Sequence, residues 1–238
     1  MTKVFSGGGD AVTALEDISL SVGRGEFVCL LGASGCGKST LLNLVARLDS
    51  PTAGSVECVG DPSFMFQEAA LFPWLNVERN VELPLRLRKV PKAQRKERVE
   101  ELLELVQLSA FAKRQPHELS GGMRQRVALA RSLAQEAEVL LMDEPFGALD
   151  AMTRDILHDE LERIWQATGR TILFVTHNVR EAVRLGDRVV LLTSRPGKVA
   201  AEFPVDMRRP RRIEDRDVAQ LAAEITTRLR EEVARHGR

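Results

Sequence analysis

The stretch Gly32-Ala33-Ser34-Gly35-Cys36-Gly37-Lys38-Ser39, followed by Thr40, constrains the fold of this 238-residue chain more than any other. It matches the phosphate-loop pattern, in which two glycines bracket four residues ahead of Lys-Ser. Such a loop works only between a buried strand and a helix. Its glycines let successive backbone N–H groups converge on phosphate oxygens, and the helix N-terminus adds a favourable dipole. The sequence supplies both neighbours, an apolar β-rich run at 27–31 and a helical pattern over 38–48. Lys38 is then expected to neutralise charge on the β- and γ-phosphates, and Ser39 to offer its hydroxyl to Mg²⁺. Gly32, Ser34, Gly35, Cys36, Gly37 and Thr40 complete the loop. An accidental match is expected in about one chain of this length in a hundred.

Apolar runs bounded by turn residues recur on either side, the pattern of a layered α/β domain. Strands are expected at 27–31, 63–66, 139–142, 171–175 and 188–192, and helices at 38–48, 151–167 and 178–185. From Pro84 to Leu133 the composition shifts to Arg, Lys, Glu and Leu, with Val99, Leu102, Leu103 and Val106 at helical spacing. This predicts a helical subdomain over 84–133, inserted between core halves at 1–83 and 134–205. The alternating charges there are expected to form a solvated face laced with i,i+4 pairs. A tail helix is expected within 206–238, where Val218, Leu221, Ala222, Ile225, Leu229 and Val233 make an apolar stripe. That stripe packs on its own domain or on a second copy. The preceding Met207-Arg208-Arg209-Pro210-Arg211-Arg212 is alternatively a basic patch for anionic lipid.

Lys plus Arg equals Asp plus Glu at 34 each, so no bulk field points to nucleic acid. No apolar run approaches the roughly 20 residues of a membrane span, and Met1 to Asp10 is no signal peptide. A soluble, cytoplasmic chain is expected, and any membrane role then needs a separate partner. Three cysteines without metal-ligand spacing fit a reducing compartment. Cys36 is read as a bystander in the loop, with inactivation by oxidation or alkylation left open because the Lys38 cation is close.

Val139-Leu140-Leu141-Met142 is an apolar run that delivers Asp143 and Glu144. Asp143 is expected to hold Mg²⁺ through water, and Glu144 to polarise the attacking water as a general base.

Leu119-Ser120-Gly121-Gly122-Met123-Arg124-Gln125 opens a polar helix, and Asp143-Glu144-Pro145 is followed by Ala148-Leu149-Asp150. With the phosphate loop, these stretches resemble the motifs of the ABC transporter ATPases, in that family's order and spacing over nearly the whole chain. The resemblance implies an α/β fold: a P-loop NTPase (RecA-like) core with an antiparallel β subdomain and an inserted α-helical subdomain. It implies ATP and Mg²⁺ as cofactors, with two subunits head to tail around two ATP. Ser120, Gly121 and Gly122 would then cap the γ-phosphate held by the partner, and Asp150 would lie at the dimer seam. Gln67 resembles the glutamine that senses Mg²⁺ and water and links to the membrane subunit. His177 resembles the switch histidine at the γ-phosphate.

Three departures stand out. Met123 replaces the glutamine commonest at its position. The chain has no Tyr, so the aromatic that stacks on adenine must be another residue; Phe5 is in place for it, or is an ordinary core residue. Residues 55–66 are shorter than the family's usual segment, which trims a peripheral β-hairpin.

The run from Phe66 to Val77, with Glu181 to Arg188 and Ser194-Arg195-Pro196-Gly197, is similar to the nitrate/sulfonate/taurine branch of bacterial importers. That similarity implies a peripheral subunit on the cytoplasmic face of the inner membrane. Its partners would be a second ATPase subunit, an integral-membrane permease and, indirectly, a periplasmic or lipoprotein solute-binding protein. Phe72, Pro73 and Trp74 would receive the permease's coupling helix, or Trp74 packs in the core. The alternative is a soluble non-transport ABC ATPase of DNA repair or translation. The chain lacks the long coiled coil, the tandem domains and the basic stripe expected of those.

Overall fold

The computed structural model describes residues 1–6 and 11–236. Two strands, β1 (Lys3–Phe5) and β2 (Val12–Leu15), pair antiparallel as a small separate sheet. The main sheet is built from β3 (Phe27–Leu31), β4 (Ser63–Met65), β5 (Val139–Asp143), β6 (Thr171–Val175), β7 (Arg188–Leu192) and β8 (Val199–Pro204). Its order is β4-β5-β6-β3-β7-β8, parallel throughout except for β8, which runs antiparallel along β7.

β3 lies between β6 and β7, covered on both faces, which is why Phe-Val-Cys-Leu-Leu is apolar without alternation. Its side chains still alternate across the sheet. Phe27, Cys29 and Leu31 join one core with Leu157, Leu161 and Ile164 of α5 (Ala151–Thr168), while Val28 and Leu30 join another with Leu41, Leu42 and Leu44 of α1 (Lys38–Val45). Helix α1 is shorter than its pattern suggested: Ala46 caps it, and Arg47 turns to a φ of 58°.

The first core extends into three helices, α2 (Val77–Leu87), α3 (Lys92–Leu105) and α4 (Gly121–Leu133), through Val81, Leu85, Leu102 and Val127. Helical structure therefore begins at Val77, not at the expected boundary of Pro84. Asn76 caps α2 by accepting from the Arg79 N–H at 2.9 Å, and Pro84 sits inside the helix although it cannot donate to the carbonyl four residues back.

Residues 16–22 form no strand, and a groove of about 670 Å³ opens beside Leu20, Val22 and Val56, away from the phosphate loop.

At the C-terminus, α6 (Val179–Leu185) receives α7 (Arg216–His236). Val218, Ala222 and Ile225 are buried there, so the apolar stripe packs on its own domain. The basic run ahead of it turns half inward, which removes two of its four cations from any lipid-facing patch. Arg209 lies over the Trp165 ring at 4.4 Å and pairs with Glu162 at 3.0 Å and Asp187 at 2.9 Å. Arg211 is buried and donates to the carbonyls of Val183, Val205, Met207 and Gly186, ending α6 with a guanidinium. Among the described residues no helix is long and apolar enough to cross a membrane.

Candidate active site

The parallel strands β4, β5, β6 and β3 are neighbours, so their carboxyl ends collect on one rim. Ligands bind at such rims in open α/β sheets. β3 leads into the phosphate loop, β4 towards Gln67, β5 into Asp143 and Glu144, and β6 into Thr176 and His177. A cleft of about 520 Å³ opens there. Ser34, Gly35, Gly37, Lys38, Ser39 and Thr40 line it from one side, Gln67, Asp143 and Glu144 from another, and Phe5 at its mouth.

Gly35 and Gly37 have φ of 76° and 99°, the left-handed region where a side chain would be strained. Lys38 is 6% exposed, and its ammonium donates to the carbonyls of Gly32 at 2.9 Å and Ala33 at 3.1 Å. Both are exchangeable contacts for a cation whose site faces the cleft. Gly32 has no room for a side chain, because a Cβ would fall 2.6 Å from the Cys36 sulfur. Burial pushes the Cys36 thiol up, with Lys38 pulling against it, so the group stays a packed thiol rather than a reactive thiolate.

Ser39 and Asp143 line the cleft together, and the Asp143 carboxyl is raised chiefly by burial and further by the neighbouring Glu144 charge, with the Ser39 hydroxyl acting against them. A hydroxyl and a carboxylate beside a phosphate loop fit a hard divalent cation with oxygen ligands. Holding Asp143 charged costs the folded state. Its pKa is higher folded than unfolded, so the penalty is present at neutral pH and fades as pH falls through the carboxylate range. Asp143→Asn is therefore expected to raise Tm at neutral pH, the gain disappearing in acid, while lowering hydrolysis by about 100-fold or more. A thermal melt series over pH, beside a phosphate-release assay, checks both.

Glu144 adopts a φ of 44°, uncommon for a residue with a side chain, and its N–H donates to the Val175 carbonyl at 3.0 Å. That bond ties the end of β5 to the end of β6. Glu144 Oε2 then meets His177 Nδ1 at 2.8 Å, bringing together two residues far apart in sequence. His177 is exposed, and its two chain neighbours are held from below. Thr176 Oγ1 accepts from the Asn178 N–H at 3.0 Å and donates to Glu181. Glu181 in turn meets the fully buried His158 of α5 at 2.5 Å. The contact between Glu181 and His158 exists only because α6 packs on α5.

Ser120 is exposed and caps α4, accepting from the Met123 N–H at 3.3 Å. Gly122 is pressed against α5, where a Cβ would stand 2.4 Å from Thr153 Cγ2. Among the described residues lining the cleft, none belongs to 120–122. Asp150 is exposed and caps α5 through the Thr153 N–H at 3.0 Å, a bond that holds its carboxyl below the usual range. Phe5 is 46% exposed and Trp74 is 72% exposed, so neither is a core residue.

A phosphate loop, a strand-end Asp-Glu pair and a histidine on that glutamate define a P-loop nucleoside triphosphatase. The chain belongs to the ABC transporter family, whose model matches residues 15–147, and it is an ATPase of that family. It is 49% identical to the aliphatic sulfonates import ATP-binding protein of Bacillus subtilis over 217 residues, 88% of this chain and 84% of that one. It is 46% identical to the nitrate import ATP-binding protein of a Synechocystis strain over 215 residues, 87% of this chain and 81% of that one. A solved dimeric ATP-binding cassette, in a post-hydrolysis state bound to ADP and Pi, superimposes with a TM-score of 0.76. It is 34% identical, covering 87% of this chain and 97% of that one.

Proposed function

We propose that this chain is the ATP-hydrolysing subunit of an importer for nitrate, a sulfonate, taurine or a similar small solute. It works as a head-to-tail homodimer on the cytoplasmic face of the membrane. One observation carries the dimer: the exposed Ser120 and the glycines after it stand outside the cleft that holds Lys38, Asp143 and Glu144. A second copy supplies them in trans, capping the γ-phosphate with Ser120, Gly121 and Gly122.

Backbone N–H groups of 34–40 hold the phosphate chain, and Lys38 moves from the loop carbonyls to the β- and γ-phosphates. Ser39, Gln67 and Asp143 hold Mg²⁺, which when bound neutralises charge on those phosphates. Glu144 takes the proton of the attacking water, while His177 keeps that carboxylate aimed and contacts the γ-phosphate. Closure excludes bulk water, where fixed charges act most strongly. Asp150, at the exposed start of α5, contacts the partner across the seam. Phe5 stacks on adenine; Phe5→Ala is expected to weaken ATP binding about fivefold, near the 1 kcal/mol of an aromatic contact, and titration calorimetry checks it.

The names of the sulfonate and nitrate relatives support an import role, and the exposed Trp74, its ring 5.5 Å from Phe72, supports a docking face for a permease helix. A solute-binding protein then acts indirectly, and no nucleic acid is involved. Co-expression with a candidate permease tests this reading. The chain is expected in the membrane fraction, and Trp74→Glu is expected to release it. A chain that stays soluble beside its permease contradicts the proposal.

A further inference from the structure

Arg195 carries a charge that the roles above leave unused. It sits at the tip of the 193–198 loop between β7 and β8, and that loop is stitched to itself. Thr193 and Lys198 exchange hydrogen bonds of 2.9 Å, and Thr193 Oγ1 donates to the Pro196 carbonyl at 2.7 Å. It is also pinned to β2: the Gly197 N–H donates to Ala14 at 2.9 Å, and the Glu16 N–H to Gly197 at 3.0 Å. The phosphate loop presses on it from the other side, since a Cβ on Gly197 would fall 2.2 Å from the Cys36 carbonyl. A loop held on three sides presents its tip side chain at a fixed place.

That place is the cleft. Arg195 lines it together with Lys38 and Phe5, and its Nη2 stands 3.3 Å from where a Cβ on Gly35 would be. Among the described residues no carboxylate lies within 4 Å of Arg195. Arg188 and Arg209, by contrast, each hold two. Of the cleft's charged lining, Lys38 and Arg195 face Asp143 and Glu144. Removing Arg195 would leave the cleft with a formal excess of negative charge, an unfavourable place for a polyphosphate.

We propose that Arg195 is a nucleotide-binding residue, a second cation that contacts the phosphate chain of ATP or ADP beside Lys38. This rests on the nucleotide-site reading above. A guanidinium suits the role because it stays charged and offers several N–H donors to phosphate oxygens. Its contact is made by charge, so it is indifferent to the base.

Titration calorimetry with ADP and with its inosine counterpart, IDP, tests the inference on the intact chain. Arg195→Ala is expected to weaken both by the same factor, about five- to tenfold. Arg195→Lys should recover part of the loss, and added salt should shrink it. Unchanged affinity for both nucleotides overturns the inference, and so does a loss confined to ADP, which would put the side chain on the base. Lys38→Ala separates the two claims. If it loses ADP while Arg195→Ala does not, only this inference fails; if Lys38→Ala binds ADP normally, the nucleotide-site reading fails.

Discussion

Replacing Glu144 by glutamine is expected to lower the ATPase kcat about 10³-fold while leaving ATP binding intact. Glutamine has the same shape and keeps a hydrogen-bond acceptor for His177, but it cannot take a proton from water at neutral pH. General-base removal of this kind costs about 10²- to 10⁴-fold. The position also excludes a larger rearrangement, because the backbone is fixed twice, by the bond to Val175 and by a φ of 44°. Holding that φ costs about 1–3 kcal/mol, and the strain is met by the junction of β5 and β6. Single-turnover phosphate release measures the effect. A variant within threefold of the parent kcat would assign the water-activating role to another group.

The second large effect is expected at Ser120. Ser120→Arg should abolish hydrolysis, by about 10²-fold or more, while a single chain still binds ATP with its own phosphate loop. The side chain is exposed, so an arginine there meets no core, and the lost cap on α4 costs about 1 kcal/mol. What it obstructs is the surface through which the partner's γ-phosphate is reached. Ser120→Ala, which loses the cap without adding bulk, controls for stability. Full turnover in Ser120→Arg would remove the signature from catalysis.

Much of this site was legible in the sequence because each part is a local pattern with its own context. The phosphate loop follows five apolar residues and opens a helix, and Asp143 ends another such run; both lie where the spacing placed them. The contacts that assemble these parts were not legible. Glu144 reaches His177 only once β5 and β6 have paired, and Glu181, held locally by Thr176, reaches His158 only after α6 has packed on α5. Strand β8 was missed because Val199–Pro204 is a partly exposed edge, which carries little alternation to read. The start of α2 was misjudged because Pro84 looks like a helix boundary, whereas tertiary packing of Val81 and Leu85 keeps the helix intact around it. The arginines at 209 and 211 read as a basic surface run, yet the carbonyls ending α6 and the carboxylates of Glu162 and Asp187 draw them inward. Charge runs reveal sign; only the fold reveals direction.

In the proposed mechanism the signature of one chain completes the nucleotide site of another. The mass of Glu144→Gln in solution with ATP and Mg²⁺ tests it most directly, measured by light scattering on a size-exclusion column. The variant is expected at twice the 26.4 kDa of the chain, and adding Ser120→Arg to it is expected to return the mass to a single chain. A Glu144→Gln protein that stays monomeric with ATP and Mg²⁺, or a dimer indifferent to Ser120→Arg, would contradict the claim.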